Sequence, residues 1–335
     1  MIIEHNVNRF ARQKGSLLLG AILVLTGTSR AQVSVPNDSN PPDWAYPVDP
    51  PGLKGPRDDG KLRRVPESEL GFTLSQVCDS FLSPDWHPRD HPPMPEVVAH
   101  GKKPDVLACG YCHRAEGTGG PENTSLAGLP AVYIIQQMAD FKSEARKTSV
   151  PERGPPKAMI ALAKATSAEE TEAAAAYFSS LKPKPIIQVI ETNTVPKTHA
   201  HGWHLVDPKT GEQEPIGQRI VEVPENLEQF ISRDSRSRFI AYVPDGSVQK
   251  GKELAGTGGQ GRTVQCAICH GPDLKGLGPN PGIAGRSPSY LVRQLYDFKH
   301  GARAGIGSAL MKPTVEKLTL EDMIALAAYA ASQPP

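Results

Sequence analysis

The chain is 335 residues long, with 37 lysines and arginines against 36 aspartates and glutamates and a net charge of +1 at neutral pH. That balance excludes the basic footprint of a nucleic-acid-binding protein, and the length admits two or three domains. Hydrophobic residues at 38% and charged residues at 22% suit a soluble chain with modest cores, and the 33 prolines, about twice ordinary usage, predict long extended stretches.

Residues 1–31 have the layout of an export signal. Arg9, Arg12 and Lys14 precede a short apolar run, 17–25, and Ser29-Arg30-Ala31 offers small residues at the cleavage positions. The run is shorter than the roughly 20 residues a membrane span needs. The expectation is a signal peptide that delivers the protein to a bacterial periplasm, an oxidising compartment in which cysteines must be used or protected. Residues 32–95 read as a proline-rich extended arm, since Pro36, Pro41, Pro42, Pro47, Pro50 and Pro51 forbid a helix. Trp44, Phe72 and Trp86 predict that the arm wraps a domain, because a free tail has little use for them. A short helix is expected over 73–82. It carries Cys78, a lone thiol read either as a small buried hydrophobe or as a thiolate ligand to a nearby iron.

Residues 96–185 form a first unit around Cys109-Gly110-Tyr111-Cys112-His113, and residues 248–335 a second around Cys266-Ala267-Ile268-Cys269-His270. Each motif reads Cys-x-x-Cys-His, the signature of covalent c-type haem attachment. The spacing sets two thiols one helical turn apart, where each can add to a vinyl group, and the histidine follows beneath the iron. A single copy could instead be a redox dithiol or half of a zinc site. A zinc site needs a second ligand pair nearby, and neither motif is followed by one. Duplication in an exported chain favours two covalently bound haem c groups, held by Cys109 and Cys112 and by Cys266 and Cys269, with His113 and His270 as proximal ligands.

After the first motif come a loop over 114–129, a helix over 130–146, a proline-rich loop over 148–156 leading to Met159, and a helix from near Ser167 that ends by Pro183. Residues 186–247 break the pattern as an inter-domain insertion, with short strands expected at 186–190 and 219–223, a helix at 225–231, and His199, His201 and His204 between the strands. The first unit then repeats. Residues 109–146 lie over 266–303 at a constant offset, matching Tyr133 to Tyr290, Gln137 to Gln294, Phe141 to Phe298 and Arg146 to Arg303. Beyond a five-residue deletion the register resumes, with Met159 on Met311 and Tyr177 on Tyr329. Of the methionines, Met138 and Met323 fall on Leu295 and Thr171, so only Met159 and Met311 pair with each other. They are the expected distal thioether ligands.

The two motifs, the 290–299 helix, Met311 and the closing helix through Tyr329 together resemble the class I cytochromes c in their two-domain dihaem, cytochrome c-four-like form. The resemblance spans about 105–182 and 260–332 and leaves out the arm and the insertion. It implies a mainly α fold, two tandem class I cytochrome c domains with a proline-rich N-terminal arm and an irregular or β insertion. It also implies transfer of electrons between redox partners, a dehydrogenase, an oxidase or another cytochrome, in solution or on a membrane-bound complex, with no substrate chemistry. The alternative is a dihaem oxidoreductase, either one similar to the thiosulfate dehydrogenases with Cys78 on the first iron or a peroxidase with one open iron. A haem-delivery or structural role is a third class.

Overall fold

A computed structural model describes residues 40–53 and 57–335. The expected export signal over 1–31, residues 32–39 and residues 54–56 lie outside the described residues.

The arm begins against the second unit. Ala45 and Tyr46 are buried in that unit's core, and the Tyr46 hydroxyl donates to Asp297 at 2.8 Å. The chain then crosses to the first unit through α1 (Leu74–Cys78), whose ends are set by a capping box of Thr73 and Gln76. This helix stops four residues short of the expected 82, and Cys78 at its end is exposed. The reading of Cys78 as a buried hydrophobe is therefore corrected: with one turn of helix, only Leu74 and Val77 face inward. Phe72 and Trp86 pack edge to face at 4.6 Å.

The first unit consists of α2 (Glu96–Ala99), α3 (Cys109–His113), α4 (Ala131–Lys142), α5 (Gly154–Ala165) and α6 (Ala168–Ser180). Helix α6 starts at a capping box, Ser167 with Glu170, and packs on α4 and α2 around Val98, Leu129, Ala175 and Phe178. Helix α5 is a departure from the expected loop. Pro155 and Pro156 sit in its first turn, where a missing amide proton costs nothing, so the prolines start the helix and do not break it.

The insertion supplies β1 (Ile187–Glu191), β2 (Thr194–Pro196), β3 (His199–His201), β4 (His204–Val206), β5 (Gln213–Pro215), β6 (Val221–Pro224), α7 (Leu227–Ile231) and β7 (Phe239–Val243). Its main sheet has the order β1-β7-β6, with β1 parallel and β6 antiparallel to β7. Phe239, Ala241 and Val243 alternate inward along β7, and β1 packs against the last helix of the second unit. Helix α7 is capped by Asn226, which accepts from the Gln229 amide.

The second unit follows with α8 (Ser247–Thr257), α9 (Ala267–His270), the hairpin β8 (Gly276–Leu277) with β9 (Asn280–Pro281), α10 (Pro288–Lys299), α11 (Ser308–Val315) and α12 (Leu320–Ser332). Its core is the larger one. Leu254, Val292, Tyr296, Leu318, Met323 and Ile324 are all buried in it. Helices α8 and α12 cross so closely at Gly251 that a methyl there would collide with the Ala325 carbonyl. The insertion is tied to this unit by a buried carboxylate. Glu222 on β6 accepts from the Ser289 amide at 3.1 Å and from the Ser287 hydroxyl at 2.7 Å, so it caps the N-terminus of α10. Among the described residues no helix is long and apolar enough to cross a membrane.

Candidate functional site

Helix α3 carries Cys109, Cys112 and His113 on one short turn, and Cys266, Cys269 and His270 span the start and length of α9. In both units the histidine is oriented by the same device. His113 Nδ1 donates to the Thr124 carbonyl at 2.9 Å, and His270 Nδ1 donates to the Pro281 carbonyl at 2.7 Å, each eleven residues on. With the proton fixed on Nδ1, Nε2 keeps its lone pair and can act as a metal ligand. Burial holds both imidazoles below the ordinary histidine range, so the neutral form that ligation requires is the stable one. Burial likewise pushes the Cys109 thiol up to about 12 and the Cys266 thiol up to about 11. These thiols are small apolar groups before attachment, not reactive thiolates.

Each histidine faces a cleft with a methionine on its wall. His270, Cys266, Cys269 and Met311 line one cavity of about 500 Å³, within the range of about 300–1,000 Å³ usual for ligand sites. His113 and Met159 line a second, narrower cavity of about 120 Å³, and Cys109 and Cys112 lie beside His113 on α3, off that wall. Met159 sits in α5 and Met311 in α11, so the repeat register places the two thioethers on equivalent helices. Met138 also lines the narrower cavity of the first unit and its counterpart Leu295 the wider cavity of the second unit, so this position contributes packing to both. Cys78 lines neither cavity.

The donor set fits a haem. A neutral histidine and a methionine thioether line each cleft, with both thiols on the wall of the second and beside the histidine on α3 in the first. The first cleft also has cations that want an anion: Arg146, Arg153 and Arg293 line it with Lys147, against Glu122 and Asp297. Burial and the adjacent Arg293 charge push Arg153 down to about 8, a cost that the carboxylates of a haem would relieve. In the narrow first cleft the flexible Met138, Met159 and Lys147 side chains must move apart to admit the group. Among the described residues no group of three or more His, Cys, Asp or Glu side chains could hold a separate metal ion.

The two clefts share a wall. Thr124, Tyr133, Gln137, Tyr290 and Gln294 line both. Across it Arg146 donates to Gln137 at 2.9 Å, to Tyr290 at 3.0 Å and to Gln294 at 3.1 Å. Arg303 answers with Gln294 at 2.9 Å, Tyr133 at 2.8 Å and Gln137 at 2.7 Å. The two arginines themselves meet in an isolated antiparallel bridge, and each guanidinium lies over a phenylalanine of its own unit, Phe141 or Phe298. Burial opposes ionisation of the Tyr290 phenol, but Arg146 and Arg303 outweigh it and hold the phenol below its usual range. These residues were visible in the sequence as matched positions of the repeat. Their role as the junction was not, because matching alone does not separate a shared core from a shared interface.

A family model described as cytochrome c matches residues 98–182 and again 248–333. A thiosulfate dehydrogenase electron acceptor of Thiomonas intermedia (strain K12) is 27% identical over 236 residues, 69% of this chain and 81% of that protein. A second protein of that name, from Stutzerimonas stutzeri (strain A1501), is 26% identical over 235 residues, 69% and 82% respectively. Cytochrome c4 of Azotobacter vinelandii is 37% identical over 84 residues, 23% of this chain and 40% of that protein. Among solved structures, a thiosulfate dehydrogenase from Marichromatium purpuratum superposes with a TM-score of 0.46 at 25% identity, covering 70% of this chain and 38% of that one.

Proposed function

The chain belongs to the cytochrome c family, with two copies of its domain and hence two covalently bound c-type haems, and from that premise we propose how it transfers electrons between redox partners. The observation that carries the reading is the pairing of a neutral histidine with a methionine across each of two clefts that share a wall. His113 with Met159, and His270 with Met311, would hold the two haem irons, a donor set suited to one-electron exchange. Haem supplies the Fe(III)/Fe(II) couple. The chain's own residues do the rest: the thioethers favour Fe(II) and raise the potential, the buried arginines balance charge at the first cleft, and the shared wall sets one couple beside the other.

We divide the molecule into a signal peptide (1–31), an arm (32–95), two cytochrome c domains (96–185 and 248–335) and the insertion between them (186–247). The export signal together with covalent haem attachment supports a periplasmic location. The partner is another redox protein, a dehydrogenase, an oxidase or a cytochrome. Two relatives are named as electron acceptors of thiosulfate dehydrogenase, and a donor of that kind fits this chain. The enzyme alternative needs a Cys78 thiolate on the first iron, whereas Cys78 is exposed and absent from both cavity walls.

An optical redox titration of the haem-loaded protein, run alongside Cys78→Ser, tests this. The expected result is two one-electron waves with low-spin spectra that Cys78→Ser leaves in place. A large upward step in one potential in Cys78→Ser, with loss of thiosulfate-dependent reduction of an acceptor, would replace the carrier by an enzyme.

A further inference from the structure

The two attachment motifs match in sequence and differ in what covers them. Over the first, Arg233 of the insertion stacks on the Tyr111 ring at 3.6 Å and donates to the Tyr111 carbonyl at 2.9 Å and the Val77 carbonyl at 3.2 Å. The arm closes the same face: Ser80 accepts from the Ala108 amide at 2.9 Å, and a methyl at Gly110 would run into the Ser83 hydroxyl. Arm and insertion are also clamped to each other, through the Trp86 indole on the Ser232 carbonyl at 2.7 Å and His87 on Asp234 at 3.1 Å. In the second motif Ile268 stands where Tyr111 stands in the first, and it is 61% exposed. Val264, just before the motif, is 40% exposed, and Leu277, on the hairpin that packs against α9, is 54% exposed. Along residues 258–319, which carry this face, the exposed charges are Arg262, Lys275, Lys312 and Lys317 against Asp273 and Glu316, with Arg262 paired to Asp322 at 2.8 Å.

We propose that partner proteins exchange electrons with this chain through the attachment face of the second unit alone, docking an apolar surface with an acidic rim, while the first unit is reached only from the second. This rests on the electron-transfer reading above. An apolar centre gives the close, dry contact that electron transfer requires, and a weakly basic rim steers an acidic partner to it. The first unit cannot offer this contact, because the arm and the insertion occupy the corresponding face.

The test uses the reduced dihaem protein and hexacyanoferrate(III), a trianionic one-electron oxidant that stands in for the acidic rim and is reduced to hexacyanoferrate(II). By stopped flow, one haem should oxidise at a rate proportional to oxidant and slowed by salt, and the other at a rate that saturates. Lys317→Glu and Ile268→Glu, each checked by intact mass for two haems, should slow the proportional phase about three- to tenfold and leave the saturating rate unchanged. Arg233→Ala should turn the saturating phase into a second proportional one. Hexacyanochromate(III), a redox-inert paramagnetic trianion, should broaden the amide resonances around 262–268 and spare those of 107–111. If both haems of the wild type oxidise in proportion to oxidant, or if neither surface variant slows the reaction, the single port is wrong. If neither haem is oxidised at all, the electron-transfer reading itself falls.

Discussion

The distal ligand is the residue on which most of the chemistry turns. His113 and His270 are held by identical backbone carbonyl bonds, so the two irons differ chiefly in what lies opposite and around them. Met159 shares its cavity with four cations, Arg146, Lys147, Arg153 and Arg293, whereas Met311 faces a wider cavity lined by Leu291, Leu295, Phe298 and Leu326 with Arg286 and Arg303. Met311→Ala should remove about half of the far-red sulfur-to-iron band of the oxidised protein and lower one of the two potentials, because the thioether stabilises Fe(II). A band and potentials unchanged in both Met311→Ala and Met159→Ala would refute the ligand assignment. At this scale the motifs picked out candidate thiols and histidines and the repeat candidate methionines, and each candidate histidine lines a cavity together with its methionine. The exposure of Cys78 was not legible, since it depends on where a one-turn helix ends.

Helices with strong end signals were readable: the 167–183 segment folds as α6 with its capping box, and Asn226 opens α7. Helices α5 and α11 were harder: prolines in the first turn of α5 mimic a loop, and Pro313 lies inside α11, where a proline argues against a helix. Strand β7 was missed because half of its alternating residues are covered by the insertion's own neighbours and not by a separate core. The arm's attachment is likewise a tertiary fact. His91 bridges the arm to α6, with Nε2 on Asp85 at 3.1 Å and Nδ1 near both the Pro92 carbonyl and the Tyr177 hydroxyl. The Asp85 hydrogen bond, against some burial, holds the His91 pKa above the ordinary histidine value, with the Asp85 and Glu116 charges adding to it. A raised folded pKa means that the contribution is complete below the unfolded value near 6.5 and is lost as pH rises through the folded value. Denaturant unfolding of wild type and His91→Gln should therefore differ most near pH 5 and converge as pH rises above neutrality. A difference independent of pH would show that His91 acts only by packing.

For the whole molecule, the decisive feature is that two separately folded cores are joined by one polar wall. Arg146 and Arg303 are buried, and each reaches the opposite unit's tyrosine and both glutamines. Helices α4 and α10 are thereby held in a pseudo-twofold relation, while the arm and the insertion break the symmetry outside the wall. Tyr46 of the arm donates to Asp297, which also accepts from the Ser149 hydroxyl at 2.7 Å, so the second unit's helix carries contacts that its counterpart at Asp140 replaces with Gln136 and Gln137. Removing one arginine leaves buried hydroxyl and amide groups short of a partner, and charge-assisted bonds of this kind contribute about 1.5–3 kcal/mol. Arg303→Met should lower the unfolding free energy by an amount of that order and slow electron transfer between the haems, because the two units meet through the side chains of this wall. The two arginines share Gln137 and Gln294, so either one alone still serves both glutamines, and Arg146→Met combined with Arg303→Met should cost more than the two single changes added together. The check is a double-mutant cycle on unfolding, run beside a measurement of the internal transfer rate in half-reduced protein. Strict additivity with an unchanged transfer rate would mean that the wall holds the units independently at two places and does not set the distance between their haems.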